Sequence, residues 1–208
     1  MQKVDCVILG NGDFPTAPQP LEVLRTAAYL CCCDGAAMTC IDHGMMPDAI
    51  VGDGDSLPEA FKQQYRHLLH IVDEQDDNDL TKATRHCMAL GMKRMAYIGA
   101  TGKREDHTLG NISLMERYFR EFHLQPVMLT DHGMFIPALG DSTFPTFARQ
   151  QVSVFNFSCQ YIHSEGLKWQ SYNYQSWWQG TLNEATGDSI TLRADGSYIV
   201  YFTYHPKE

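Results

Sequence analysis

The chain has 208 residues and a formal net charge of −9 at pH 7. Hydrophobic residues make up 44% and charged residues 20%, which is typical of globular proteins and not of disordered ones. The negative charge argues against a nucleic-acid-binding protein, because phosphate contacts need a basic surface. No apolar run reaches the ~18 residues of a transmembrane helix, and the start of the sequence lacks a secretory hydrophobic region. We therefore expect neither nucleic acid nor membrane as a partner.

The seven cysteines bear on the redox compartment, and three of them are consecutive at Cys31, Cys32 and Cys33. Their number is odd, the triplet lies in a β-like stretch, and no CxxC pair is present. We expect neither a disulfide framework nor a zinc site from this pattern. Buried, reduced thiols are the better interpretation, so the predicted location is the cytoplasm.

Up to Thr130 the chain alternates short apolar runs with helical patterns. Strands alternating with helices predict a mostly parallel, Rossmann-like sheet with helices on both faces, and thus an α/β N-terminal domain. The predicted strands are residues 4–10, 29–33, 49–51, 69–72, 95–99 and 127–130, and the predicted helices are residues 21–28, 58–68, 79–90 and 107–122.

From Gly140 onward the composition shifts to Ser, Thr, Tyr, Phe, Trp and Gln. Residues 151–157, 189–193 and 197–204 have strand patterns, and Asp195-Gly196 predicts a hairpin between the last two. We expect an all-β C-terminal sandwich of two small sheets, with domains at 1–138 and 139–208. Trp169, Trp177 and Trp178 are expected to pack in the core or on an edge strand, unless one stacks on a heteroaromatic ligand.

Polar or glycine-rich motifs follow the first five predicted strands. In open α/β sheets, ligands bind beyond the carboxyl ends of the strands. The sequence therefore predicts a ligand site at this edge of the sheet. In chain order the motifs are Asn11-Gly12-Asp13, Asp34-Gly35, Asp53-Gly54-Asp55, residues 75–79 and residues 101–106.

Two aspartate clusters lie among these motifs. In extended backbone Asp53 and Asp55 point the same way, and Gly54 allows close approach of a ligand; the alternative is a solvated turn, because Asp-Gly is a turn dipeptide. With Asp79, three carboxylates are available for one metal site. Hard oxygen ligands suit Mg²⁺, which works with carboxylates and substrate phosphates.

Residues 76–82 predict the start of a helix with Asp76 or Asn78 as its cap. Capping accounts for one or two of the acids in this run, and Asp77 is expected to be solvated. Lys82 lies one turn beyond Asn78 or Asp79, where it either reaches a phosphate or forms an intrahelical ion pair.

Residues 99–104 form a glycine-rich turn that lacks the Walker A spacing. Such a turn before a helix can still hold phosphate through backbone N–H groups, and Arg104 adds a fork suited to phosphate oxygens. Asn11-Gly12-Asp13 is likewise no dinucleotide fingerprint. Of the nine histidines, His107 beside Asp106 is the one candidate functional residue.

The motifs together resemble those of thiamin pyrophosphokinases, in the same order and over nearly the whole chain. They are Asp34-Gly35-Ala36-Ala37, Pro47-Asp48 with Gly52-Asp53-Gly54-Asp55-Ser56, Gln75-Asp76-Asp77-Asn78-Asp79-Leu80-Thr81-Lys82, Gly99-Ala100-Thr101-Gly102-Lys103-Arg104-Glu105-Asp106-His107, Gly166-Leu167-Lys168-Trp169 and Thr181-Leu182-Asn183.

This resemblance implies a homodimer with active sites between subunits, and transfer of pyrophosphate from ATP to thiamin, giving thiamin diphosphate and AMP. It implies Mg²⁺ ligands at Asp53, Asp55 and Asp79. The positions matching the ATP cleft are Asp34, Gln75, Thr81, Lys82, Arg104 and Asp106, to which we add Asn11, Gly12, Asp76 and His107 as candidates. Asn183 and its neighbour Thr181 match the thiamin-facing segment.

Four positions depart from the family pattern. Gly54 replaces a common Phe, which predicts a more mobile loop, and Ala36 replaces a glycine. The family's Gly-Gly-Arg turn is Gly102-Lys103-Arg104 here, and its Ser-Asn pair is Leu182-Asn183.

The predicted catalytic set is Asp53, Asp55, Asp79, Lys82, Arg104 and Asp106. Positioning and electrostatic stabilisation dominate phosphoryl transfer, so Mg²⁺, Lys82 and Arg104 would neutralise developing charge. Asp106 would orient or deprotonate the attacking hydroxyl, or else bind metal or ribose. Two alternatives remain open: a pyrophosphokinase for another heteroaromatic alcohol, such as a hydroxymethylpterin, and a non-catalytic nucleotide- or thiamin-sensing module.

Overall fold

The structure, a computed structural model, describes residues 3–207. The chain divides into two compact units. The first runs to Leu114 and includes His123–Asp131, and the second contains Met115–Phe122 and the chain from His132 onward. The division into domains 1–138 and 139–208 stays a prediction. Among the described residues, no helix is long and apolar enough to cross a membrane.

The first unit contains a parallel sheet with the strand order β6-β5-β1-β2-β3-β4. Every residue of the three inner strands β1 to β3 is buried, as expected for a sheet covered on both faces. All six predicted strands are confirmed, with bounds shifted by a few residues. They are β1 (Cys6–Leu9), β2 (Leu30–Cys33), β3 (Ala49–Gly52), β4 (Leu69–Ile71), β5 (Arg94–Ile98) and β6 (Gln125–Leu129).

Five helices accompany these strands: α1 (Pro18–Arg25), α2 (Ala36–Asp42), α3 (Glu59–Gln64), α4 (Asp79–Ala89) and α5 (Glu105–Arg120). Four were predicted, and α2 was not. This helix has seven residues, its first residues are small, and no side chain caps it. Two turns without a cap give too short a pattern for the helical period to be recognised.

Apart from the end of α5 and a short 3₁₀ helix (Trp177–Gly180), the second unit consists of β-strands and loops, as predicted for the C-terminal part of the chain. A four-stranded antiparallel sheet has the order β11-β9-β13-β7, and a three-stranded sheet has the order β10-β12-β8. Their strands are β7 (Gly133–Leu139), β8 (Ser142–Pro145), β9 (Gln150–Asn156), β10 (Ile162–Glu165), β11 (Asn183–Glu184), β12 (Ser189–Ala194) and β13 (Ser197–Pro206).

One apolar core holds this unit together. Val152, Val200 and Phe202 from the larger sheet pack in a cluster with Ile162 and Leu192 from the smaller one, and each is no more than 2% exposed. Apolar burial of this kind contributes about 25 cal/mol per Å², so the two sheets stabilise each other through their inner faces.

The predicted hairpin at Asp195-Gly196 is wrong. Strand β12 pairs with β10 and β8, whereas β13 pairs with β7 and β9, so this turn carries the chain from one sheet to the other. The Asp195 carboxylate accepts backbone N–H groups from Gln160 and Tyr161, both at 2.9 Å. A Cβ at Gly196 would lie 2.6 Å from backbone atoms of Ser158, so glycine is needed for close packing rather than for a hairpin turn.

All seven cysteines are buried and unbridged, which agrees with the interpretation of reduced thiols. Burial raises the pKa of the Cys33 thiol well above its usual value, so this group stays protonated. The triplet forms the end of β2, where small apolar side chains fill the space between sheet and helices.

The inter-sheet turn gives a stability prediction. Replacing Asp195 with Ala removes an acceptor for two backbone N–H groups, so we expect a loss of about 1–2 kcal/mol in the free energy of unfolding. Urea denaturation followed by tryptophan fluorescence measures it. Asp188→Ala, in an exposed turn where the carboxylate has a weak 3.5 Å contact with Ser189, serves as the control. Equal midpoints for the two variants would contradict the assigned role of Asp195.

Candidate active site

The loops after β1 and β5 meet at the carboxyl edge of the parallel sheet. The Gly12 N–H donates to the Gly99 carbonyl at 2.6 Å, and the Asp13 N–H donates to the Thr101 carbonyl at 2.9 Å. A Cβ at Gly12 would lie 2.2 Å from the Thr101 carbonyl oxygen. Glycine at this position is therefore required by the contact between the two loops.

A cleft of about 360 Å³ opens beside these loops. Five of the predicted site residues line it: Asn11, Gly12, Asp79, Arg104 and His107. Several other lining residues were not predicted from the sequence, among them Ser56, Asn78, Lys103 and Asn111. Two of these had a usable signal: Lys103 adjoins Arg104 in the glycine-rich turn, and Asn111 lies one helical turn after His107.

Three carboxylates converge after β2 and β3. Oxygen atoms of Asp34, Asp53 and Asp55 lie within 4.8 Å of one another. Asp34 is 3% exposed; its Oδ2 accepts the Ser56 N–H at 3.2 Å, and its Oδ1 has no hydrogen-bond partner. A buried carboxylate oxygen without a partner carries a large desolvation cost, which a bound cation would offset.

The backbone places these acids differently from the sequence interpretation. Gly54 has φ +76°, and the Asp55 N–H donates to Asp53 Oδ1 at 3.2 Å, so the segment is a turn and not extended backbone. This hydrogen bond is the main reason that the pKa of Asp53 lies below its usual value. A Cβ on Gly54 would lie 3.0 Å from Cδ1 of the exposed Ile71 side chain, so the left-handed φ, rather than a lack of space, favours glycine here.

Asp79 and Lys82 form an ion pair at the start of α4. The Lys82 Nζ lies 3.3 Å from Asp79 Oδ1, and the lysine is 4% exposed. Burial raises the pKa of the Asp79 carboxyl; Lys82 opposes this shift, whereas the charges of Asp34 and Asp53 add to it. Asp79 therefore lies within electrostatic range of the acidic cluster. Metal ligation by Asp79 and a phosphate contact by Lys82 remain predictions.

The other residues of the segment 75–81 differ in burial and in their contacts. Asn78, not Asp76, caps α4 by accepting the Thr81 N–H at 3.0 Å, and Thr81 is buried. Gln75 donates to Asp53 Oδ2 at 3.4 Å. Asp76 is exposed and is not among the residues that line the cleft.

Asp77 corrects a smaller expectation. Its carboxylate forms an ion pair of 2.5 Å with Arg85 and is 11% exposed, so it is not simply solvated. The pair joins the loop before α4 to the second turn of this helix. Because its carboxylate is engaged with Arg85, Asp77 is not a candidate metal ligand.

Arg104 and Asp106 pair with each other in the turn that leads into α5. The guanidinium donates to both carboxylate oxygens, at 3.1 and 2.6 Å. Arg104 lowers the pKa of the Asp106 carboxyl, helped by the His107 N–H at 2.9 Å. Both side chains are largely exposed, at 68% and 62%, so either is free to turn toward a ligand.

A second cleft, of about 260 Å³, lies within the β unit and is mainly aromatic and amide in character. Thr181 and Asn183, predicted to face thiamin, both line it. Asn183 is engaged with the backbone: its Nδ2 donates to the Trp169 carbonyl at 2.7 Å, and its Oδ1 accepts the Trp169 N–H at 3.1 Å. The remaining lining residues are Trp169, Gln170, Tyr172, Tyr174, Gln179, Gly180 and Leu182.

The tryptophans divide into two kinds. Trp177 packs against Phe155 and Phe157 and donates to the Asn156 carbonyl at 3.1 Å, as expected. Trp169 and Trp178 are 51% and 74% exposed, so neither is a core residue; the alternative that one tryptophan stacks on a heteroaromatic ligand stays a prediction. Trp169 is the one that lines the aromatic cleft, and the Lys168 Nζ lies 4.8 Å from its ring centroid.

The folds of the two units and their clefts define a protein that combines a parallel α/β unit with an antiparallel β-sandwich unit. A family model described as the thiamin pyrophosphokinase catalytic domain matches residues 21–128, and one described as the thiamin pyrophosphokinase substrate-binding domain matches residues 133–201. The first match alone covers more than half of the chain. The chain belongs to the thiamin pyrophosphokinase family.

Curated relatives and solved structures agree with this assignment. The chain is 32% identical over 96 residues to thiamine pyrophosphokinase 1 of Oryza sativa subsp. japonica, covering 41% of this chain and 35% of the relative. It is 33% identical over 86 residues to thiamine pyrophosphokinase of Bacillus subtilis, covering 39% and 40%. The aligned stretches thus span less than half the length of these curated relatives.

Solved structures extend the likeness of fold over nearly the whole chain. Thiamine pyrophosphokinase from Bacillus subtilis gives a TM-score of 0.77 at 19% identity, covering 96% of this chain and 98% of that one. Yeast thiamin pyrophosphokinase gives 0.79 at 16% identity, covering 98% and 87%.

The buried ion pair generates a prediction. Asp79→Asn leaves the Lys82 ammonium buried without its carboxylate partner, so we expect a loss of about 1–3 kcal/mol in the free energy of unfolding. The double variant Asp79→Asn/Lys82→Met removes both charges and should recover at least half of that loss. Urea denaturation of wild type and both variants measures the difference.

The control is Glu121→Gln, which removes one partner of an exposed pair with Arg117 and should change stability by less than about 0.5 kcal/mol. If the double variant is no more stable than Asp79→Asn, Lys82 does not depend on Asp79 for its burial.

Proposed function

We propose that this protein transfers the pyrophosphoryl group of ATP to the hydroxyl oxygen of thiamin, giving thiamin diphosphate and AMP. The observation that carries the proposal is the convergence of Asp34, Asp53 and Asp55 at the carboxyl edge of the parallel sheet, in a chain of the thiamin pyrophosphokinase family. Such a cluster, beside a cleft lined by Lys103, Arg104 and His107, suits a polyphosphate with a divalent cation.

The residues present fit Mg²⁺. Asp34 supplies a buried carboxylate oxygen without a partner, and Asp53 and Asp55 supply two further oxygens within 4.8 Å. Hard oxygen ligands of this kind match the preference of the ion. We propose Asp34, Asp53 and Asp55 as ligands, with Asp79 adjoining them. When bound, Mg²⁺ supplies positive charge that offsets the repulsion between phosphate oxygens.

The chain's own residues then have distinct tasks. In the reaction, a bond forms between the thiamin hydroxyl oxygen and the β-phosphorus, and the bond between that phosphorus and the oxygen bridging to the α-phosphate breaks. The departing AMP carries the additional negative charge, and the proton of the thiamin hydroxyl is released to water. Arg104 can turn from Asp106 to the phosphates, because both side chains are exposed, and a guanidinium fork matches phosphate oxygens.

Asp106 suits an orienting role better than that of a strong base. Arg104 lowers the pKa of its carboxyl. A general base is most efficient when its pKa is near the operating pH, so this shift makes Asp106 a less effective base at neutral pH. A carboxylate can still accept a hydrogen bond from the attacking hydroxyl and hold it in line. His107, which lines the same cleft, is available to contact phosphate or nucleotide.

For the acceptor we propose the aromatic cleft of the β unit. The Trp169 ring is half exposed there, and flat heteroaromatic rings stack on such surfaces. Leu182 stands where the family pattern has Ser, so this wall offers apolar contact in place of a hydroxyl. The Asn183 side chain is hydrogen-bonded to both the N–H and the carbonyl of Trp169 and thereby positions the ring.

We also propose a cytoplasmic homodimer. Seven buried, unbridged cysteines support a reducing compartment, and the dimer follows from the family resemblance. Size-exclusion chromatography with light scattering tests the dimer, since the 23.6 kDa chain would give a particle of about twice that mass if the proposal holds.

The activity is tested with purified protein, ATP, Mg²⁺ and thiamin, with AMP and thiamin diphosphate measured by chromatography. We expect equal amounts of both products, and none when Mg²⁺ is removed by EDTA. A panel including a hydroxymethylpterin identifies the preferred acceptor. ATP binding without AMP formation from any acceptor would refute the enzymatic proposal and favour a sensing module.

The metal assignment is tested independently of turnover. Mg²⁺ should raise the melting temperature of wild type by binding the folded state, and Asp34→Asn should abolish that shift while preserving the circular dichroism spectrum. Asp42→Asn, on α2 at a distance in sequence from the acidic turn, is the matched control. A full Mg²⁺ response in Asp34→Asn would exclude Asp34 as a ligand.

The positioning of Trp169 gives a further prediction. Asn183→Ala should raise the KM for thiamin about fivefold or more, because the loss of contacts that fix the ring removes about 1–3 kcal/mol of acceptor binding. The KM for ATP should stay within twofold of wild type. Equal rises in both KM values would instead indicate general loss of structure.

A further inference from the structure

Lys103 occupies a backbone position suited to glycine. It lies in the turn between β5 and α5 with φ +56°, directly after Gly102 at φ +79°. The left-handed region is unfavourable for a lysine and costs glycine nothing. The family pattern has Gly-Gly-Arg here, so this chain keeps a strained lysine where an unstrained glycine would fit. Strain of this kind is concentrated at functional sites.

The Lys103 ammonium is held in the cleft by neutral groups. Its Nζ donates to the Asn11 carbonyl at 2.9 Å and to Asn11 Oδ1 at 3.3 Å, and the residue lines the 360 Å³ cleft. In the part of the chain that the structure describes, it forms no ion pair. No carboxylate of the described residues therefore lies within ion-pair distance of this ammonium.

The neighbouring cations differ in this respect. Arg104 is paired with Asp106, and Lys82 is paired with Asp79. The carboxylate of Asp13 lies against Gly102, and Glu105 follows in the first turn of α5, yet neither forms an ion pair with Lys103. An uncompensated ammonium at the wall of a cleft is an anion-binding group.

We propose that Lys103 binds the polyphosphate chain of the nucleotide, exchanging its contacts with Asn11 for phosphate oxygens. This inference rests on the proposed function for the identity of the anion, and it adds a substrate-binding residue that replaces the family's glycine. A lysine on a flexible stem reaches phosphate as a point charge. The strained backbone is retained because it directs this charge into the cleft.

The experiment measures binding of Mg²⁺-ATP, and separately of inorganic tripolyphosphate, by isothermal titration calorimetry. Lys103→Met keeps the stem and removes the charge, and we expect it to weaken both affinities about tenfold, as for loss of one charge-assisted hydrogen bond. Lys103→Arg should stay within about threefold of wild type. Lys93→Met is the matched control: it removes an exposed lysine next to the first residue of β5, at the opposite end of that strand.

Lys103→Gly separates the charge from the backbone. It should weaken ATP binding as much as Lys103→Met does, and should melt at the same or a higher temperature because the strain is relieved. If Lys103→Met and Lys103→Gly bind ATP and tripolyphosphate within twofold of wild type, the inference is overturned. If wild type itself binds neither ligand, it is overturned as well.

The binding assay contains no acceptor, so its outcome differs from that of the proposed activity. Weaker ATP binding in Lys103→Met, with no thiamin diphosphate formed by wild type, would support the role of Lys103 and reject the acceptor. Normal thiamin diphosphate formation by wild type, with unchanged ATP binding in Lys103→Met, would support thiamin as the acceptor and reject the role of Lys103.

Discussion

Repulsion between carboxylates at one edge of the parallel sheet is the constraint on which the site depends. Asp34, Asp53 and Asp55 converge within 4.8 Å, and the charge of Asp79 acts on the same region. The buried Lys82 ammonium offsets part of this charge through its pair with Asp79. Like charges at such distances favour either protonation or a bound cation. This electrostatic condition underlies the proposal of a divalent ion at the site.

The backbone tolerates strain at several points around the two clefts. Asp34 has φ +38°, Lys103 has φ +56° and Leu182 has φ +62°, and the latter two line a cleft. Non-glycine residues rarely adopt such angles, and the cost is recovered only where surrounding contacts fix them. Close approach of backbone has a similar role at Gly12 and Gly52, where added Cβ atoms would lie 2.2 Å from Thr101 O and 2.8 Å from Asp34 Cβ. Glycine at positions 12 and 52 therefore allows the loops at the strand ends to pack against each other.

The two clefts differ in chemistry in a way that suits two different ligands. The cleft of the α/β unit is lined by charged and amide groups with a glycine-rich loop, which favours an anion. The cleft of the β unit is lined by Trp169, Tyr172 and Tyr174, which favours a flat ring. Asn183 lines the second cleft, but its side chain is hydrogen-bonded to the Trp169 backbone. This division between the clefts supports the proposed pair of substrates, a phosphate donor and a heteroaromatic acceptor.

The sequence was sufficient to predict the six strands of the first unit, the β-rich C-terminal part of the chain and the location of polar motifs at strand ends, because hydrophobic periodicity and the strand–helix alternation are local signals. It also indicated the family through motifs in a fixed order. The tertiary structure decided that Asp34, not Asp79, completes the tightest carboxylate group. It also decided that Lys82 is buried in an ion pair and that Asp195-Gly196 joins two sheets. Each of these outcomes depends on contacts between residues distant in the chain, or on whether a side chain points into the interior, and spacing along the sequence does not encode either.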